Sequence, residues 1–376
     1  MARARLVTAV SDDFDDWFPK RNAAILDAAG SLTTATGPRD LEQATAELVG
    51  GELHQAIHGE TGGLILDLWL RSLIIDARIR LVEGGPDEGI RYLLHGVTAI
   101  GPPDAVKEAR LALKRTRWAS SGPTWLGGMA KPKAGRDVRR LEDRYGTRLG
   151  IVMEYAFPGG SPMAYLFDVD ASGIPLLVDS GVHDDAARAA DAWRAAAGDT
   201  ATDAPLEAVT SSGELRALAQ LDLQTPFGDE TRSRADDWYR AQRRVQDLAA
   251  ALRSTAHPLP PQRSFFDEDT TPLVEEFSEW HVARHGHAPD EELTGILAGE
   301  WQEGILPQTT YCVSPQRIEY QLSIIGDTFE PETVAELRNL IRIWSRWLGE
   351  RDGLPEDLLA RIDRATRTRP AQPGNA

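Results

Sequence analysis

The residues best able to do chemistry include two histidine pairs whose spacing would put both imidazoles on one helix face. His281 and His285 are four apart, followed by His287, and His54 and His58 repeat the interval. Imidazoles at i and i+4 can share a zinc ion, which makes His281 and His285 the candidate metal ligands; a metallohydrolase of this type also needs a glutamate directly after the first histidine as general base. Val282 stands there instead, so the catalytic form of the motif fails. Histidines in a last helical turn also favour the free carbonyls and the dipole without any metal. Around His54 and His58 the nearby acids are Glu47, Glu52 and Glu60, and this pair reads as a helix face. The single cysteine, Cys312, cannot close a disulfide within the chain or complete a site needing two thiolates, and reads as a packed thiol.

A second chemistry is electrostatic. Between Lys107 and Arg148 twelve bases stand against four acids, a net +8, while the whole chain carries −17 and the remainder therefore −25. Lys131, Lys133, Arg136, Arg139 and Arg140 lie in this run beside Trp125, and cations interleaved with an aromatic ring in a Gly-rich loop suit a phosphate-bearing partner such as a nucleic acid or nucleotide. The competing reading is that the segment neutralises the acidic rest of the same molecule.

Paired aspartates supply the third chemistry. Phe167-Asp168-Val169-Asp170-Ala171-Ser172-Gly173 closes an apolar run and resembles the nucleophile loop of haloacid-dehalogenase-like phosphatases, with Gly198-Asp199 and Asp203 imitating their acidic metal motif. That resemblance implies a parallel doubly wound sheet and much more chain between the two motifs than is present. A strand ending in an Asx turn from Asp170 to Gly173 explains the same residues. No P-loop, nucleophile elbow or complete dinucleotide fingerprint occurs.

The elements that must position these groups follow from hydrophobic period. From Asp40 to Trp118 apolar residues recur at three and four, which predicts amphipathic helices punctuated by Gly50-Gly51, Gly62-Gly63, Gly84-Gly85-Pro86 and Gly101-Pro102-Pro103. The Gly, Pro and Ser-rich run Ala119 to Gly135 predicts a loop or linker. Strict alternation over Leu149 to Phe157, then Met163 to Asp170 and Ile174 to Val178 joined by short turns, predicts an antiparallel meander with at least one face covered by helices. Helices return at 185–197, 232–253, 272–285, 291–304, 331–348 and 355–364, with a Pro-rich break at His257-Pro258-Leu259-Pro260-Pro261. The expected fold is α+β, with mainly helical N- and C-terminal parts around a small antiparallel β-meander. Its expected divisions are a helical domain at 1–118, a basic linker at 119–147, the meander with following helices at 148–256, a helical domain at 262–366 and a disordered tail at 367–376. Ten tryptophans against nine phenylalanines point to large buried areas, in a core or at an interface.

These landmarks resemble a family of uncharacterised proteins, about this length, common in high-GC actinobacteria. The resemblance rests on the Leu41 to Gly51 helix, the segment Ile90 to Pro103 ending Ala99-Ile100-Gly101-Pro102-Pro103, the meander Glu154-Tyr155-Ala156-Phe157-Pro158-Gly159-Gly160 through Val169-Asp170, and Val313-Ser314-Pro315 followed by Trp344. It covers about residues 40 to 365 and brings with it no activity and no functional residues.

Targeting signals are weak. The apolar stretch Leu6 to Val10 falls short of the roughly 7 to 15 residues of a signal peptide, and Leu64 to Val82 is interrupted by Asp67, Arg71, Asp76, Arg78 and Arg80, two acid-to-base pairs at i,i+4 among them. Together the residues predict a cytosolic, non-enzymatic interaction or regulatory protein with a protein partner, no cofactor and no membrane association. The alternatives are nucleic-acid or nucleotide-phosphate binding through 107–148, and a metal-dependent hydrolase using Asp168 and Asp170 or His281 and His285.

Overall fold

The computed structural model describes residues 14–59, 66–118, 122–209, 232–253, 269–303 and 305–367. The readings made on Leu6 to Val10, on the break at 257–261 and on the tail from residue 368 lie outside the described residues. The fold is α+β: helices at both ends and a five-stranded sheet between them.

Five helices come first: α1 (Phe14–Ala28), α2 (Pro38–Gly59), α3 (Leu66–Gly84), α4 (Glu88–Ile100) and α5 (Pro103–Arg115). Asp87 caps α4 by accepting from the Ile90 amide at 3.0 Å, and α5 starts at Pro103, where a missing N–H costs nothing. α2 runs straight through Gly50-Gly51, which the sequence suggested as punctuation. The glycine serves close approach instead: a Cβ on Gly50 would sit 2.1 Å from the Asp236 Cα, and one on Gly96 of α4 would sit 1.9 Å from the Thr45 hydroxyl of α2.

The sheet comprises β1 (Lys133–Glu142), β2 (Arg148–Ala156), β3 (Met163–Asp170), β4 (Leu176–His183) and the short β5 (Glu207–Ala208), in the order β4-β3-β2-β1-β5 with every pairing antiparallel. The expected meander is present but longer. Its third strand starts two residues later than expected, and β1 lies within the stretch 119–147 that was read as linker. β1 escaped the pattern because lysine and arginine hold most of its outward positions, because it buries only Val138 and Leu141, and because its register shifts between Ala134 and Val138.

Both sheet faces are covered. On one, Val138, Ile151, Met153, Tyr155, Tyr165 and Phe167 join the core of the first five helices and of α7 (Arg232–Arg253). On the other, Leu141, Val152, Ala164 and Leu166 pack on Ala189, Ala190 and Trp193 of α6 (Ala186–Ala197). The first core thus spans residues expected in separate domains at 1–118 and 148–256, with α7 packed both on α2 and α4 and on the sheet.

The remaining helices, α8 (Thr271–His285), α9 (Glu291–Gln302), α10 (Pro315–Thr328), α11 (Pro331–Arg351) and α12 (Glu356–Ala365), enclose a further core around Phe277, Trp301, Trp344 and Trp347. Tyr145, from the β1–β2 turn, inserts into it, and Arg361 of α12 meets Asp199 at 2.6 Å. Among the tryptophans, Trp69, Trp193, Trp301 and Trp344 are fully buried, which assigns these four to cores.

A buried polar network seats α2 and α7 on the sheet. Arg244, without solvent exposure, donates to Glu42 at 2.5 Å and lies 4.3 Å over the Tyr155 ring, whose hydroxyl donates to the same carboxylate at 2.9 Å. Asp237 accepts from Arg240, Tyr165 and Ser180, and Arg240 reaches Gln43 at 2.7 Å. Charges this deep persist because each has a partner and its remaining hydrogen-bonding capacity is largely used.

Candidate anion-binding pocket

Cations from three places in the chain converge on one hollow of about 370 Å³, formed by α4, α5 and the stretch after α5. α4 contributes Arg91, His95 and Thr98, spaced four and three so that they share one face. From α5 come Arg110, Leu113 and Lys114, again one face. Trp118, Gly127, Ala130 and Lys131 close the rim. Four cationic side chains therefore line the hollow, and among the described lining residues none is acidic.

The local sequence explains the arrangement. α4 is buried along nearly its whole length, which holds Arg91 at 6% exposure with its guanidinium 5.2 Å from the Trp118 ring. Gly122, at φ +64°, passes that guanidinium so closely that a Cβ would lie 3.1 Å from it. The Trp118 indole donates to the Leu113 carbonyl at 3.0 Å, turning the chain back over α5 as the helix ends. A 3-10 turn, Thr124–Gly128, follows, and the Lys131 amide donates to the Gly128 carbonyl at 3.0 Å. Arg110 ties helix and turn together by donating to the Ala130 carbonyl at 2.7 Å. Glu88 neutralises part of Arg91 at 3.3 Å from outside the hollow.

His95 lies at the back. Burial first, and the Arg91 charge second, lower its pKa to about 4, against a hydrogen bond with the Leu126 backbone that raises it. The ring is neutral near pH 7, so the positive charge of the hollow belongs to the four basic side chains. An anion bound beside them would relieve their mutual repulsion and stabilise the imidazolium as well.

The residues singled out from sequence are divided by the fold. Lys131 lines the hollow. Trp125 does not: it is half-buried, edge-on to Tyr92 with centroids 6.0 Å apart. Lys133, Arg136 and Arg139 are exposed on β1, and Arg140 sits 3.3 Å from Glu142 in a separate hollow with Asp143 and Glu207. The five cations of the nucleic-acid alternative therefore do not share one hollow, and Arg140 is held against an acid. Arg91 and His95 were missed because they precede the basic run; their i,i+4 spacing on an otherwise apolar helix was the available signal.

The other candidates have structural partners. Asp168 accepts from Arg148 at 2.6 and 2.7 Å and from the Trp193 indole at 3.0 Å, and Asp170 accepts from the Ser172 amide at 2.9 Å, the expected Asx turn. His281 is buried, with Nδ1 at 2.9 Å from the His287 carbonyl, and the His281 and His285 rings lie 4.5 Å apart. Partial desolvation, then the neighbouring His281 and His287, lowers the pKa of His285. Among the described residues no group of three histidines, cysteines or acids is arranged to hold a metal ion. Burial, followed by the Glu142 charge, pushes the Cys312 thiol up to about 12, which keeps it protonated. No described helix is long and apolar enough to cross a membrane.

Comparison of the chain with protein-family models, with curated proteins and with solved structures returns no match.

Proposed function

We propose that the chain is a non-enzymatic regulatory protein of the cytosol that binds a small phosphate-bearing anion between α4, α5 and the Gly-rich turn. The observation that carries this reading is the convergence of Arg91, Arg110, Lys114 and Lys131 on one hollow with no acidic lining residue, in a chain of net charge −17. Four cations lining one hollow favour an anion between them, and guanidinium with ammonium groups is the donor set that phosphate oxygens take. The volume of about 370 Å³ falls in the lower part of the range usual for small-molecule sites. It favours a compact ligand over a polynucleotide, for which cations would have to continue along a groove; those of β1 lie elsewhere, and Arg140 is held against Glu142. Neither Asp168, held by Arg148 and Trp193, nor the protonated Cys312 lines the hollow, so neither could act on an anion held there.

Thermal unfolding with inorganic pyrophosphate as the probe tests the proposal. A ligand that binds the folded state alone adds about 2.7 kcal/mol at a hundredfold excess over its Kd. We expect a rise in Tm for the wild type and its loss in a Lys114→Ala, Lys131→Ala double variant, since both side chains are exposed and can be removed without disturbing the core. An unchanged Tm at millimolar pyrophosphate, or an equal rise in the double variant, would refute it.

A further inference from the structure

The opposite side of α5 carries a different surface. Ala112, Arg115 and Thr116 point away from Arg110, Leu113 and Lys114, and with Arg117 they meet the C-terminal end of α3 in a second hollow of about 390 Å³. Its floor is the buried pair Leu81 and Ala112, with the exposed Val82 and Pro86 beside them; its rim holds Arg78, Arg115 and Arg117, and among the described lining residues none is acidic. The floor continues along α3 as a stripe. Leu68, Ile75, Ile79 and Val82 are 50%, 44%, 44% and 80% exposed, and their intervals of seven, four and three place them on one helix face. At 1.5 Å per residue the stripe runs about 21 Å, roughly four turns. These four account for most of the large apolar side chains exposed among the described residues, so the apolar surface is concentrated here.

We infer that this face of α3, with the arginine-rimmed hollow at its end, docks an acidic amphipathic helix of another protein. Charge decides among occupants. Whatever covers Ile79 and Val82 also displaces water from Arg78, Arg115 and Arg117, and three desolvated guanidinium groups need carboxylates opposite them. A second copy of this chain, meeting through a two-fold axis at the hollow, would bring the same three arginines onto themselves. A helix with apolar residues at i, i+4 and i+7 and acids along one flank satisfies both requirements, the apolar side chains lying on the stripe and the acids against the rim. This inference is independent of the phosphate-binding proposal, because the two surfaces share no lining residue.

Selection from a displayed library of four-turn helices on the full-length protein, with counter-selection on the Ile79→Asp variant, tests it. We expect the enriched peptides to carry Asp or Glu on one flank. They should bind the wild type in fluorescence anisotropy, weaken at least tenfold with Ile79→Asp or Val82→Asp, and lose affinity with Arg78→Glu combined with Arg115→Glu. A peptide whose acids are changed to lysine should regain binding to that charge-reversed protein. Circular dichroism identical to wild type confirms that the variants are folded, and Val82→Asp, at the most exposed position, stands in if Ile79→Asp is not. Four results would overturn the inference: enrichment of basic or uncharged flanks, peptides indifferent to both aspartate variants, a wild-type dimer in sedimentation that Ile79→Asp dissolves, or binding through this face to phosphatidylserine vesicles.

Discussion

Replacing His95 with glutamine should flatten the pH dependence of stability between pH 7 and 5. In the folded protein burial, then Arg91, lowers the imidazole to about 4, whereas an unfolded chain returns it to about 6.5. Between those values the unfolded chain binds the proton and the folded chain does not, so stability rises with pH there. The contribution is fully present above the unfolded value and is lost progressively as pH falls through 6.5 towards 4. With these two values, going from pH 7 to pH 5 removes about 2 kcal/mol through this residue alone. Urea unfolding of wild type and His95→Gln at both pH values, at one ionic strength, isolates that share, since other groups titrate in both proteins. The wild type should lose about 2 kcal/mol more than the variant. Equal losses would refute the reasoning, because they would mean that the ring is not desolvated beside Arg91. Pyrophosphate should partly reverse the effect: a bound anion stabilises the imidazolium, so wild-type affinity rises as pH falls, and His95→Gln lacks that part of the rise.

Other consequences concern the scaffold. Glu42→Gln removes the fully buried one of the two carboxylates on Arg244, leaving Asp247, and chemical denaturation should show a loss of about 2 kcal/mol, with the transition still cooperative. Asp170→Ala removes the acceptor for the Ser172 amide and should lower stability by about 1 kcal/mol, with no effect on pyrophosphate affinity in calorimetry. Gly96→Ala forces a methyl group into the Thr45 side chain and should lower Tm by several degrees; restoration by Thr45→Ala in the double variant would identify the contact responsible.

Much of the fold was legible because its helices are amphipathic and its central strands alternate. Helices 232–253 and 291–302 lie where the apolar period placed them, β2 where alternation did, and β3 where an apolar run between two turns did. Two of the elements not read from the sequence show what hides an element. α10 has a start signal, Ser314 accepting from the Arg317 amide at 3.1 Å with Pro315 next, but Arg317 and Gln321 sit on its buried face and interrupt the apolar stripe. Arg317 is tolerated there because it donates to the Trp301 carbonyl at 2.7 Å and to the Thr309 carbonyl, and stacks 4.5 Å from the Trp301 ring. β1 is hidden by its charged outward positions and its register shift. The α4–α5 hollow was half legible: Lys131 and the bases of α5 stood out as charge, whereas Arg91 and His95 belong to a helix that reads as pure core until α5 folds beside it. Trp125 misled because an aromatic ring in a Gly-rich loop looks free to stack, and here its partner is Tyr92.

Isothermal titration of inorganic pyrophosphate tests the central claim most directly, comparing the wild type with Lys114→Ala, Lys131→Ala and with Arg136→Ala, Arg139→Ala. Phosphate binding in the α4–α5 hollow predicts one site per chain, an affinity that falls with salt, at least a tenfold loss in the first double variant and little change in the second, whose side chains lie on β1. No measurable heat, or a loss confined to the β1 variant, would contradict it.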